Sequence, residues 1–377
     1  MLNLYPKFSW AIPVALLFCL SLPSRTCAQQ LYWYLSDMQN PTTPVTVADM
    51  SGFWPAAQVL VMGDIQAQAA GTFVWDDSSF ATDAPAAIAA CHANGCKALI
   101  DIGPFGNLPS ALTSHQSLLI TNLMSIVNTY GFDGVAIDWE ISFSTTLNTT
   151  FITALRTALG SKIIEQVADQ YSYSTYYGGA IQSSLDKEII LLYDMGGCQT
   201  SGTWYDQAVY NSASGIGSFA NGYSSYEFFR QRMEGAGVPA SKLLFGVAFT
   251  GRVFTGMGAA PYLTCSGGGS GGDVGYNTLS GLYTLTSPNR DSVTLEPWIV
   301  TSGGWTDFED PISVAAKIKY DIANNLGWIV FSSIQDLFPS QTPKHPLLAA
   351  IVAQMTPSIN TYVAANRVVH TSGGVVQ

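Results

Sequence analysis

The sequence predicts an α/β chain folded as a single-domain, parallel (β/α)8 TIM barrel, and three observations carry that expectation. Short apolar runs alternate with helical stretches along nearly the whole chain, and eight of the runs have the length and composition of strands. Charged residues make up only 11% of the 377 positions and hydrophobic residues 47%, a balance that excludes intrinsic disorder and provides for a large core. No G-x-G-x-x-G follows a candidate strand, so the rival open, doubly wound sheet lacks the glycine fingerprint it often carries.

The first 28 residues stand apart. Lys7 precedes an apolar stretch from Ala11 to Leu22, and Thr26-Cys27-Ala28 places small residues before a cleavage point after Ala28. This is the pattern of a secretory signal peptide, and the run is too short and too interrupted to span a bilayer. The mature chain is therefore expected to be secreted and extracellular, with no membrane attachment after signal removal and a monomer as the default.

The barrel is expected over residues 29–356. Its strands are read at Leu31–Tyr34, Val59–Met62, Ala98–Ile102, Gly134–Trp139, Ile163–Val167, Ile189–Tyr193, Leu243–Ala248 and Trp328–Phe331. Helices are read at Pro85–Asn94, Leu118–Tyr130, Thr149–Leu159, Tyr226–Gly235 and Ile312–Asn325. Between Phe254 and Trp298 the alternation breaks, which predicts a short insertion between the seventh and eighth strands. Gly267–Gly272 reads as a surface loop, and residues 357–377 as a loose C-terminal tail.

Charge and cysteine content narrow the function. A net charge of -11, with no two basic residues adjacent, excludes nucleic acid as a partner. Of six cysteines, Cys19 and Cys27 leave with the signal. Cys91 and Cys96 flank a short turn and are expected to pair, which leaves Cys198 for Cys265. There is no Cys-x-x-Cys, and His92, His115, His345 and His370 are scattered, so no metal site is expected. Asn148-Thr149-Thr150 is an N-glycosylation sequon, relevant only to an exported chain.

The fourth candidate strand carries the chemistry. In Phe132-Asp133-Gly134-Val135-Ala136-Ile137-Asp138-Trp139-Glu140, alternation places Val135, Ile137 and Trp139 on one face. Ala136, Asp138 and Glu140 share the other. In a barrel the second set faces the lumen, which puts two carboxylates at the C-terminal rim, where barrel enzymes hold their active sites.

These residues resemble glycoside hydrolase family 18, the chitinase family, whose D-x-x-D-x-D-x-E motif is matched by Asp133, Asp138 and Glu140 but has Ala136 at its second acid. Further motifs recur in order. Leu191-Leu192-Tyr193-Asp194 is similar to M-x-Y-D, and the stretch from Lys242 to Arg252 is similar to K-L-x-x-G-x-x-x-Y-G-R. Glu309-Asp310-Pro311-Ile312-Ser313, followed by Lys317, resembles the segment before the last strand.

The resemblance implies substrate-assisted, retaining hydrolysis of β-1,4-linked N-acetylglucosamine, in which the substrate's own acetamido oxygen is the nucleophile. Glu140 would be general acid and then base. Asp138 would orient the acetamido group, and Tyr193 would donate a hydrogen bond to it. Asp194 would bind sugar, Arg252 would hold a carboxylate or a sugar hydroxyl, and Asp133 would be structural. The implied partner is chitin or an N-acetylglucosamine oligosaccharide, and no metal or organic cofactor is implied.

Departures from the family pattern cluster around the reactive sugar. Ala136 removes the acid beneath Asp138, which lowers the Asp138 pKa by loss of a like charge while burial raises it. Thr250 replaces a Tyr, Phe331 or Ser332 stands at the usual Trp, and Asp101-Ile102-Gly103-Pro104 replaces S-x-G-G. Phe105, Trp204, Tyr205, Tyr262 and Trp305 fall in expected rim loops, with Phe105 and Trp204 read as sugar platforms and packing as the plain alternative. A lectin on the same barrel and an endo-β-N-acetylglucosaminidase acting on N-glycans are the competing functions.

Overall fold

In the computed structural model the described residues are 30–35, 46–140, 144–168, 179–199, 202–210, 225–263 and 270–355. The signal segment, the tail and Cys265 lie outside them, so the Cys198–Cys265 pairing does too.

The strands and helices follow from local chemistry. β1 (Leu31–Leu35), β2 (Val59–Ala67) and a short antiparallel β3 (Phe73–Trp75) open the fold. α1 (Ser78–Ala93) starts where the Asp77 carboxylate accepts from the Ser79 amide, 2.8 Å. The Cys91–Cys96 disulfide spans the turn after it, as the spacing predicted. β4 (Lys97–Ile102) leads to α2 (Leu108–Tyr130), which ends at Gly131 in the left-handed region, φ 81°. β5 (Gly134–Asp138), α3 (Thr145–Leu159, capped by Ser144), β6 (Ile163–Ala168), α4 (Gly179–Gln182) and β7 (Lys187–Ile190) continue the alternation. A hairpin of β8 (Gly197–Gln199) and β9 (Gly202–Trp204) precedes α5 (Tyr226–Gly235) and β10 (Leu243–Ala248).

The insertion is larger than the sequence reading allowed. β11 (Thr250–Thr255), β12 (Ser270–Gly275), β13 (Asn289–Arg290), β14 (Pro297–Thr301) and β15 (Gly304–Phe308) form an antiparallel sheet, with α6 (Tyr276–Leu282) within it. Short strands separated by glycine-rich turns look like loop in a linear reading, and their pairing becomes evident only in three dimensions. α7 (Pro311–Ala323), β16 (Gly327–Phe331) and α8 (Pro346–Val352) complete the chain. α7 begins with a capping box, in which Asp310 accepts from the Ser313 amide and the Ser313 hydroxyl accepts from the Asp310 amide.

Eight strands close the barrel in the order β1, β2, β4, β5, β6, β7, β10, β16, all parallel, with β16 returning to β1. Alternation along β5 holds as predicted. Val135, Ile137 and Trp139 join the core between barrel and helices, while Ala136 lies in the lumen cluster with Leu99, Val167, Ile189 and Phe331. Among the described residues, no helix is long and apolar enough to cross a membrane.

Two sequence motifs prove to be architectural. Asp133 sits at the N-terminal end of β5 and accepts from the Ala98 amide at 3.0 Å, with His92 at 2.9 Å and Lys97 at 3.1 Å. Burial alone would raise its pKa, but these donors outweigh it and hold the carboxyl below its ordinary value. Asn148 of the sequon is 1% exposed and exchanges two side-chain hydrogen bonds with Gln166, each 3.1 Å. In the folded chain that amide is enclosed and paired with Gln166.

Candidate active site

The site lies at the C-terminal rim of β5, where the strand pleat sends Asp138 and Glu140 to the lumen side. Both are half-buried. Desolvation, then the neighbouring Asp101 and Glu140 carboxylates, push the Asp138 pKa well above its ordinary value. The two opposing effects expected from Ala136 thus resolve upward, because a like charge is present after all.

That charge comes from the next strand. Asp101 pairs in register with Ala136 across β4 and β5, is fully buried, and accepts from the Tyr34 hydroxyl at 2.9 Å. Burial, with Asp64 as the leading like charge, raises Asp101 to about 7. Asp64 lies within an irregularity in β2 between Met62 and Ile65, a bulge at the barrel rim of the kind that re-aims side chains. Its Oδ2 accepts from Gln66 Nε2 at 2.7 Å, and burial together with Asp76 raises it to about 6. Gly103 is required here, because a Cβ at that position would collide with the Asp64 carboxylate. Asp64, Gln66 and Tyr34 escaped the sequence reading, and Asp101 was read only as a departure from the family pattern. The available signal was an acid at an inward position of an otherwise apolar strand.

Tyr193 lies just beyond β7, and its ring packs edge-on against Phe331 at 5.1 Å. Burial, followed by the charges of Asp138 and Glu140, raises its hydroxyl well above the ordinary value, so it is a permanent hydrogen-bond donor. Phe331 also contacts Tyr34 at 5.0 Å and is 8% exposed, which makes it part of the lumen floor.

Arg252 and Asp194 come together. Asp194 has φ 60°, a left-handed conformation that Asp tolerates better than most residues, and its Oδ1 pairs with Arg252 Nη2. Arg252 Nε also reaches Asp273 at 3.0 Å and Asp206 at 3.4 Å. Of the two roles expected for Arg252, the structure shows the grip on carboxylates. The three acids bring their oxygens within 4.8 Å of one another, as a metal site does, but the guanidinium is the cation among them. Asp307 fixes the same corner by accepting from the Asp206 and Arg252 amides at 2.6 and 3.2 Å.

The aromatic expectations divide. Phe105 stands 76% exposed between β4 and α2, at the open end of the barrel. Trp204 does not reach the site. It is 1% exposed and packs with Tyr205, Phe254, Met257 and Trp305 in the core of the insertion, with Tyr262 against its edge. Its ring faces are consumed by that packing, which corrects the reading of Trp204 as a sugar platform. Tyr205 and Trp305 are buried in the same cluster.

Comparison with known proteins places this geometry. The chain is 28% identical to Chitinase B of Serratia marcescens over 243 residues, which is 54% of this chain and 45% of that one. It is 24% identical to Chitotriosidase-1 of Mus musculus over 278 residues, 64% of this chain and 58% of that one. The match thus spans less than half of Chitinase B and 32% of Chitinase A1 of Niallia circulans. Among solved structures, the Group IV chitinase of Ostrinia furnacalis superposes with a TM-score of 0.76 at 20% identity, covering 89% of this chain and 100% of that one. Human YKL-39, described as a pseudo-chitinase with retained chitooligosaccharide binding, superposes with a TM-score of 0.74 at 18% identity, covering 86% of this chain and 99% of that one. The sequence model of glycosyl hydrolases family 18 matches residues 39–336, and the chain belongs to that family.

Proposed function

We propose that the protein is an exported glycosidase that cleaves β-1,4-linked N-acetylglucosamine, in chitin or its oligosaccharides, by substrate-assisted retaining hydrolysis. The observation that carries this reading is the pairing of two lumen-facing carboxyls at the rim of β5, Asp138 and Glu140, hydrogen-bonded to each other, with Asp138 held in protonatable form. Glu140 protonates the leaving oxygen and later takes a proton from the incoming water. Asp138 binds the acetamido N–H and faces the positive charge that develops when the acetamido oxygen attacks the anomeric carbon. Tyr193, unable to ionise at working pH, donates to that same oxygen and aligns it. Asp194, locked by Arg252, offers an acceptor to a sugar hydroxyl. Phe331 and Phe105 supply apolar faces for the pyranose rings, and the protein acts as a monomer.

The test is turnover of a fluorogenic N-acetylchitotriose by the full chain and by Glu140→Gln. A loss of about 10²- to 10⁴-fold in kcat with sugar binding retained is expected. Cellulose oligomers, which lack the acetamido group, should be inert. Wild-type protein that binds chitin without turning it over would instead be a lectin, and cleavage confined to high-mannose glycoprotein would assign an endoglycosidase.

A further inference from the structure

We propose that Asp101 is the proton-holding partner of Asp138, a positioning residue on β4 that supplies from the neighbouring strand the carboxyl Ala136 lacks. The inference rests on the reading of Asp138 and Glu140 as the hydrolytic pair and adds a residue outside the D-x-x-D-x-D-x-E motif.

Register is the first ground. Asp101 lies directly opposite Ala136 in the β4–β5 ladder, and adjacent strands run about 5 Å apart. Leu99, two residues before Asp101, lies in the lumen cluster with Ala136, so Asp101 faces inward as well. Asp138, two residues beyond Ala136, faces the same way. The methyl group at Ala136 therefore borders a space flanked by acids.

Hydrogen bonding is the second ground. Asp101 Oδ2 accepts from Tyr34, which fixes the carboxyl below the rim and joins it to the aromatic floor of Phe331 and Tyr193. The other oxygen, Oδ1, is buried with no hydrogen-bond donor among the described residues, and Asp138 Oδ1 is in the same condition. Asp138 hydrogen-bonds Glu140 on its rim side, and a single proton held in common with Asp101 serves the unmet acceptors on its inner side.

Glu165 is the competing partner, since it flanks Ala136 from β6. Both its oxygens are likewise buried with no donor among the described residues, but it stands in register with Lys187 on β7, whose positive charge acts on it, and it is not among the leading charges on Asp138. No cation is among the leading charges on Asp101. The groups that act on it are Tyr34 from β1, Asp64 from β2, Glu140 from the rim and Glu165 from β6. Those that act on Asp138 are Asp101, Glu140 and Asp64, with Tyr193 beside them.

The consequence for the reaction is a balanced proton shift. As the acetamido group attacks and becomes positive, the O–H bond on Asp138 breaks and one forms on Asp101, leaving Asp138 anionic against the cation. The proton returns when water opens the intermediate, so the pair neither gains nor loses protons over a cycle.

Asp101→Asn tests this, since the amide keeps an acceptor for Tyr34 and takes up no proton. On N-acetylchitotriose, kcat should fall about 10²-fold with KM nearly unchanged, and the pH profile of kcat should move. Ala136→Asp in the Asp101→Asn background should restore at least roughly a tenfold share of the loss. Should melting curves show that Asp101→Asn fails to fold, Asp101→Ser serves as the second variant. Carboxyl titration by carbon-detected NMR of the full chain gives a readout independent of turnover. Asp138 should titrate in two coupled steps in wild type and in one after Asp101→Asn. An Asp138 titration indifferent to Asp101→Asn overturns the proposal, as does a kcat loss with an unmoved pH profile and no recovery from Ala136→Asp. Two-step titration in a wild-type protein without turnover would uphold the pair while defeating the hydrolase reading.

Discussion

Two of the deep groups of acids in the molecule differ in what sits among them. Where the insertion meets the barrel, Glu296 and Glu309 close on Lys317 at 2.5 and 2.7 Å, and all three are essentially sealed from solvent. Burial alone would lower the Lys317 pKa, but the two glutamates outweigh it and keep the ammonium charged. In the lumen, Asp64, Asp101 and Asp138 gather around a tyrosine, and their neighbours are further carboxyls. An acid group built around a cation has its charge settled and serves architecture. One without a cation must hold protons, and proton-holding groups at a barrel rim are where chemistry is done.

The largest expected effect breaks the settled group. Lys317→Met fits the space but leaves Glu296 and Glu309 facing each other with no cation. Removing one partner of a buried pair costs about 3–5 kcal/mol, so denaturant unfolding at neutral pH should show a loss of that order. The loss should shrink at pH 5, where Glu296, whose pKa burial raises well above the ordinary value, takes up a proton. A cost that is the same at both pH values would show that Lys317 acts through packing alone.

The lumen predicts a pH dependence of opposite origin. Burial leads the shifts that raise Asp64 to about 6, Asp101 to about 7 and Glu165 to about 8, each above the value it has in the unfolded chain. Between about pH 4 and 8 the folded state therefore binds protons that the unfolded state has released, and stability falls with rising pH. The contribution is complete below the unfolded values and is lost through the folded ones. Tm should drop steadily from pH 5 to pH 8.5, and Asp101→Asn should flatten that slope. A Tm that rises over this window would mean the lumen acids are ionised and matched by charges elsewhere.

Much of the fold was legible because it depends on periodicity. The inward and outward faces of β5, a helix within a residue of Ile312 and the short loop closed by Cys91–Cys96 are local patterns, and each stands close to where the sequence put it. The nearness of Asp138, Glu140 and Tyr193 to one another was likewise readable from motif and alternation. What escaped depends on pairing between distant segments. The register that sets Asp101 beside Ala136 joins residues 35 positions apart, and nothing in either segment announces the partner. Arg252 was expected to meet a carboxylate, but Asp206 and Asp273 come from two further segments of chain. Trp204 and Asn148 erred in the other direction. Each belongs to a residue type or motif that usually marks a surface, and each is buried by neighbours far off in sequence.

The smallest effect sharpens the contrast between the two regions at the level of single rings. Trp204 lies in the core of the insertion and Phe105 beside the lumen, and only Phe105 presents its ring to solvent. An exposed aromatic of that size costs hydration and returns nothing to the folded state, so its use is sought in a ligand. Phe105→Ala should leave Tm unchanged and weaken sugar stacking by about 1 kcal/mol, read as a roughly fivefold rise in KM for N-acetylchitotriose at constant kcat. That split separates a binding platform from a catalytic group, because uniform binding lost from both ground and transition states moves KM alone. If kcat falls instead while KM holds, Phe105 acts on the transition state. The division would then fail, with binding and chemistry no longer separable along the rim.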